Sequence, residues 1–141
     1  MSEVVYDGKI DGDFEGFNDE VLFKMKNGTY WIQAQYKYWY HYAYCPDATV
    51  TKENGRYILT VAEHSIPVRK VTDVIESRIE GEFKGWDGKT SYKLLNGQVW
   101  QQSTYKYEYK YAYMPEAVVY EATGGYKMRT AGTTADVRLV R

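Results

Sequence analysis

The sequence predicts an all-β protein built as a tandem pair of small barrels. Three observations carry this. Tyrosine stands at every second position in 36–44 and again in 105–113, the period of a strand whose side chains alternate between two faces. Residues 10–71 align without a gap on residues 79–140 at an offset of 69, with about 25 of the 62 pairs identical, which marks an internal duplication. Each copy also carries turn dipeptides between short β-forming runs: Asn27-Gly28 and Asn54-Gly55, then Asn96-Gly97 and Gly124-Gly125. Such dipeptides supply the positive φ that tight hairpins require. The chain then divides into an N-terminal segment 1–9, copy one at 10–71, a short linker 72–78 and copy two at 79–141. A unit of about 60 residues is marginal alone, so the two copies are expected to pack together.

Within copy one, Ile10 to Phe14 opens as a strand, with Gly12 and Gly16 marking bends or close backbone approach. A hairpin follows, Val21–Lys26 and Thr29–Gln35 around Asn27-Gly28. A two-residue type I′ turn would set Lys26 opposite Thr29, Met25 opposite Tyr30, Lys24 opposite Trp31 and Phe23 opposite Ile32. That register puts Met25, Tyr30, Phe23 and Ile32 in the core and leaves Lys24, Trp31, Leu22 and Gln33 on the opposite face. Copy two repeats it, with Leu94, Val99 and Tyr92 inside and Lys93, Trp100 and Gln102 outside. The tyrosine strand is next. Pro46 and Pro115 end it, since proline cannot donate to a ladder. Runs at 47–51, 56–61 and 67–71, and their counterparts at offset 69, complete each copy.

The tyrosine strand is too long for an ordinary barrel stave. Five tyrosines from Tyr36 to Tyr44 span about 27 Å at ~3.3 Å per residue. A core favours Val, Ile and Leu, because every buried hydroxyl needs a partner. The pattern therefore implies that some tyrosines are core and others overhang as a half-wet surface. The alternate face carries Lys37, Trp39 and His41 in copy one, against Lys106, Glu108 and Lys110 in copy two. Its divergence between copies reads as solvent-facing.

The run Leu94-Leu95-Asn96-Gly97-Gln98-Val99-Trp100-Gln101-Gln102 resembles the hairpin Leu-x-Asn-Gly-Gln-x-Trp-x-Gln of small prokaryotic SH3-like barrel modules. Ala117-Val118-Val119-Tyr120, Gly125-Tyr126-Lys127-Met128 and Val137-Arg138-Leu139-Val140-Arg141 continue the likeness. It covers most of copy two and is looser in copy one, where Thr29 replaces Gln98. The resemblance implies an SH3-like barrel in each copy. It brings no catalytic residues with it, because most such modules are uncharacterised and fold alone does not specify activity.

Composition narrows the function classes. The formal charge is −1, so no global basic field points to nucleic acid or an anionic membrane. The single cysteine, Cys45, permits no internal disulfide. The acidic start, Met1 to Asp7, does not read as a signal peptide, and no run reaches the ~18 to 20 apolar residues of a membrane span. A cytoplasmic setting is the expectation. His41 and Cys45, four apart on a strand, stand about 13 Å apart, too far to share a metal. Asp11, Asp13 and Glu15, with Glu80 and Glu82, read as solvating charges rather than a glycosidase pair. No phosphate loop, nucleophile elbow or HExxH is present. The sequence thus predicts no enzyme, cofactor or metal site.

What remains is aromatic surface. Tyrosine and tryptophan give rigid contact area with polar tips, the composition of binding faces. The candidate ligand-binding residues are Trp31, Tyr38, Trp39, Tyr40 and Tyr42, with Trp100, Tyr107, Tyr109 and Tyr111. A non-catalytic binding or adaptor role toward a protein or peptide is the leading expectation. Single-stranded nucleic acid stacked on the rings, a carbohydrate or small molecule on an aromatic shelf or inter-barrel pocket, and a homo-oligomer are the alternatives.

Overall fold

The computed structural model describes residues 2–141. It is all-β and separates into two compact units, Met1–Thr72 and Asp73–Arg141. The first contains β1 (Ser2–Lys9), β2 (Asp13–Phe17), β3 (Leu22–Lys24), β4 (Tyr30–Gln33), β5 (Trp39–Tyr44), β6 (Asp47–Glu53), β7 (Arg56–Val61) and β8 (His64–Val71). The second contains β9 (Ile75–Arg78), β10 (Glu82–Trp86), β11 (Ser91–Lys93), β12 (Val99–Gln102), β13 (Glu108–Tyr113), β14 (Glu116–Ala122), β15 (Gly125–Thr130) and β16 (Thr133–Leu139). From β2 and β10 onward the strands begin at matching positions, 69 residues apart. The segments expected as an N-terminal extension and a linker contribute strands of their own: β1 pairs with β6, and β9 pairs with β14.

Each unit has one six-stranded antiparallel sheet, ordered β1-β6-β7-β8-β4-β3 and β9-β14-β15-β16-β12-β11. Its two edge strands meet at one end. Ile10 bridges Met25, Asp11 donates to the Lys24 carbonyl at 2.7 Å, and Lys26 donates to the Lys9 carbonyl at 3.0 Å. Ile79 and Leu94 repeat the bridge. Backbone groups at that end of the two edges are thereby paired. The remaining strands of each unit form a two-stranded ribbon, β2-β5 and β10-β13.

The first hairpin forms where Asn27-Gly28 predicts it, but in a different register. The amide of Met25 donates to Thr29 and that of Gly28 to Met25, so the loop has three residues, Lys26 to Gly28. Gly28 alone of these has positive φ, at 89°. This is the turn-plus-bulge hairpin rather than the two-residue turn. Asn27 stabilises it by accepting from the Thr29 amide and hydroxyl at 3.0 and 2.7 Å. Phe23 therefore faces Trp31, and Leu22 faces Ile32. A one-residue slip moves a side chain to the other face, so Trp31 enters the core and is 4% exposed. Trp100 does the same in the second unit, at 2%. The two-residue turn appears instead at Asn54-Gly55, where both residues have positive φ.

Phe14, Phe17, Phe23, Met25, Trp31, Val50, Leu59 and Ile66 form the first core. Phe83, Trp86, Tyr92, Leu94, Trp100, Val119, Met128 and Val137 form the second.

Candidate binding surface

The tyrosine segment enters its ribbon from an extended stretch held by one buried side chain. In the second unit this is Gln102. Its Oε1 accepts from the amides of Asp87 and Gly88 at 3.1 and 2.7 Å, and its Nε2 donates to the carbonyls of Thr104 and Lys106 at 3.1 and 2.9 Å. Gln33 plays the same part in the first unit, accepting from Asn18 and donating to the carbonyls of Asn18, Gln35 and Lys37. Both glutamines were expected outside. They are buried because the register shift carries them inward, and they satisfy backbone groups that no sheet pairs.

Beyond this staple, β5 pairs with β2 from Phe17–Trp39 to Asp13–Tyr44, with a bulge between Phe14 and Gly16. At Gly16 the backbones come too close for any side chain. A Cβ there would lie 1.9 Å from the Trp39 carbonyl oxygen, and φ is +98°. Gly85 meets the Glu108 carbonyl in the same way, at 2.0 Å. These glycines let the two strands of each ribbon approach closely at the bulge.

The tyrosines all face out. Tyr36, Tyr38, Tyr40, Tyr42 and Tyr44, and Tyr105, Tyr107, Tyr109, Tyr111 and Tyr113, are between 53% and 76% exposed. None is core, contrary to the expectation that the spine would be shared between core and overhang. On the opposite face, expected to meet solvent, Lys37, His41 and Lys110 are exposed, while Trp39, Lys106 and Glu108 are half-buried. Trp39 sits against Phe14 and Phe17, with ring centroids at 6.0 and 5.1 Å. His64 and His41 stack on it at 3.9 and 5.1 Å. Copy two carries Glu108, Lys110 and Thr133 at these three places. Thr133 donates to Glu108 at 2.7 Å and accepts from the Trp86 indole at 3.1 Å. Lys106 adds an ion pair to Glu108 at 3.5 Å, and the Thr133 bond chiefly holds that carboxyl below its ordinary range. Each unit keeps one indole here: Trp39 in the first, and Trp86, where the first unit has Phe17, in the second. At Trp39 and Glu108 the divergence between the copies accompanies different packing, while His41 and Lys110 diverge at exposed positions.

The acids of β2 and β10 border the rows. The Tyr42 hydroxyl donates to Asp13 at 2.8 Å, and this bond, aided by the nearby charges of Asp13 and Glu15, raises its pKa. The charge of Glu82 does the same to Tyr111. Asp11 lies elsewhere, 3.4 Å from Lys26 and 3.9 Å from Lys24. Glu80 is 3.5 Å from Lys93. The carboxylates therefore serve local ion pairs and a tyrosine hydroxyl.

Of the nine residues singled out by sequence, Tyr38, Tyr40, Tyr42, Tyr107, Tyr109 and Tyr111 lie together on the two outer rows. Trp31 and Trp100 are core, and Trp39 is half-buried beneath the first row. Sequence reading missed Tyr36, Tyr44, Tyr105 and Tyr113 as surface residues, although the same period of two placed them in line. Cys45 has a free thiol that accepts from the Gly12 amide at 3.3 Å. Among the described residues no group of three or more metal-ligating side chains converges, and no helix is long and apolar enough to cross a membrane. A shallow cleft of about 270 Å³ in the second unit is lined by Glu80, Glu82, Lys84, Asp87, Tyr92 and Lys93, among others.

Comparison with known proteins yields no match to any protein-family model, any curated protein or any solved structure.

Proposed function

We propose that this chain is a non-catalytic binding protein that docks a protein or peptide partner on two tyrosine rows. One observation carries the reading: ten tyrosines, five per unit, all point to solvent from backbone that is anchored below. Exposed aromatic side chains in contiguous rows are rare on surfaces without a partner. Tyrosine suits such a face because its ring gives contact area at low entropic cost and its hydroxyl tolerates water. Rigid support from Trp39, Phe14 and Phe17 in one unit, and from Phe83 and Trp86 in the other, lowers the cost of ordering on binding. The SH3-like reading rests on the Leu94 to Gln102 hairpin motif, and the bridges Ile10–Met25 and Ile79–Leu94 are compatible with a barrel. A cytoplasmic setting is supported by the one unpaired cysteine. Stacked single-stranded nucleic acid would use the same rings, but Asp13 and Glu15 beside the first row oppose phosphate.

Selection from a random peptide display library tests the proposal. The bait is the full chain, run against a variant carrying Tyr38→Ser, Tyr40→Ser, Tyr107→Ser and Tyr109→Ser. Peptides enriched by the native chain alone are expected. Equal enrichment by both, or by neither, would sink it.

A further inference from the structure

We propose that the two tyrosine rows differ in the charge they select, and that the first takes an extended basic peptide with Lys or Arg at alternate positions. The inference rests on the docking role proposed above and adds the ligand class.

Tyrosines two residues apart on an extended backbone stand about 6.6 Å apart, the same step as alternate side chains of an extended peptide. A peptide lying along the row from Tyr36 to Tyr44 would therefore meet one ring with every second residue, except where β5 bulges between Tyr40 and Ala43. Next to those rings, on β2, stand Asp13 and Glu15, both exposed. Asp13 is directly opposite Tyr44 and bonded to Tyr42. The lysines of this unit that could neutralise the row are engaged elsewhere. Lys37 reaches the Ser65 carbonyl, and Lys24 and Lys26 reach Asp11. The first row thus combines aromatic faces with two carboxylates. A cation placed there gains both ring-face attraction and ion pairing.

The second row has the same rings on a different field. Its bordering residues on β10 are Glu82 and Lys84, where the first unit has Asp13 and Glu15. Their formal charges sum to zero, against −2 on the first row. Lys110 does not join the row, since its amine lies near Gly132. Glu15 against Lys84 is the exchange that separates the two.

Isothermal titration with three nine-residue probes tests this: alternating Lys-Ser, alternating Gln-Ser and alternating Glu-Ser peptides. The native chain is expected to bind one Lys-Ser peptide per chain, more weakly as salt rises, and to bind Glu-Ser at least tenfold less tightly. Glu15→Lys, which installs the residue of the second unit, should cut Lys-Ser affinity about tenfold. Lys84→Glu should raise the stoichiometry from one peptide to two, a gain that misfolding cannot imitate. Equal binding of Lys-Ser and Gln-Ser, both lost in Tyr38→Ser/Tyr40→Ser, would overturn the charge selection and leave the docking role standing. Binding by none of the probes counts against both. Tighter binding of Glu-Ser, or of an oligothymidylate, would overturn the basic ligand outright.

Discussion

Replacing Gln102 by leucine should loosen the second tyrosine row without touching a tyrosine. Leucine keeps most of the volume but removes four hydrogen bonds, two accepted from Asp87 and Gly88 and two donated to Thr104 and Lys106. Each such bond contributes about 1 kcal/mol net, and a buried backbone group left without a partner costs more. Thr104 is exposed and Lys106 half-buried, so water recovers part of the loss on that side. The expected destabilisation is about 3 kcal/mol. For a unit of this size that corresponds to roughly 12 to 24 °C in melting temperature. Urea unfolding followed by tryptophan fluorescence measures the loss, and amide hydrogen exchange locates it. The Asp87 and Gly88 amides should exchange fastest in the variant. Gln101→Ala is the control: the side chain of that half-buried neighbour bonds the Lys89 carbonyl and the Arg138 guanidinium, and its loss should cost no more than about 1 kcal/mol. A change under 0.5 kcal/mol in Gln102→Leu, with unchanged exchange at Asp87 and Gly88, would refute the staple.

Three further outcomes are expected. Gly85→Ala should cost about 3 kcal/mol or more, because its Cβ would meet the Glu108 carbonyl at 2.0 Å from a backbone at φ +97°; a near-native melting curve would contradict this. Trp100→Ala should cost about 3 to 5 kcal/mol as a core deletion, whereas Tyr107→Ser should leave the urea midpoint unchanged. The reverse order would restore the sequence-based register. Tyr92 lies in the second core, its hydroxyl donating to the Gly85 carbonyl at 2.7 Å. Burial pushes its pKa up to about 12, from 10.0. The unfolded chain then loses this proton first, so stability is complete below pH 10 and falls as pH rises through 12. Tyr92→Phe should remove that part of the alkaline slope, and an identical slope in both proteins would show that Tyr92 does not cause it.

The sequence discloses the strands and their order well, and misplaces which sides face in. The 69-residue repeat and the turn dipeptides locate the hairpins, because turn chemistry and pairing are local. Facing is settled by register, and register depends on whether a turn contains two residues or three. Asn27-Gly28 serves either turn, so one residue of slip sends Trp31 and Gln33 inward. The tyrosine strand misleads for a different reason. Hydrophobicity suggests that a row of rings packs inward, whereas here the half-buried residues are Trp39 with Ala43 on one unit, and Glu108 with Ala112 on the other. Neither row looks apolar enough alone. Their burial depends on Phe14, Phe17, His64, Trp86 and Thr133, residues remote in sequence that supply stacking and hydrogen bonds. Gly16 is legible as a bend or close-approach site, and Gly85 is its repeat counterpart. Their partner carbonyls are not legible, since no sequence signal marks the bulge in β5.

Site-by-site labelling by a tyrosine-directed reagent, read by mass spectrometry with and without bound peptide, tests the docking surface most directly. The ten row tyrosines should be modified in the free native chain, with Tyr30, Tyr92 and Tyr120 resistant because they are buried. Bound peptide should shield the row positions alone. Unreactive row tyrosines in the free protein, or shielding confined to Tyr57 or Tyr126, would contradict it.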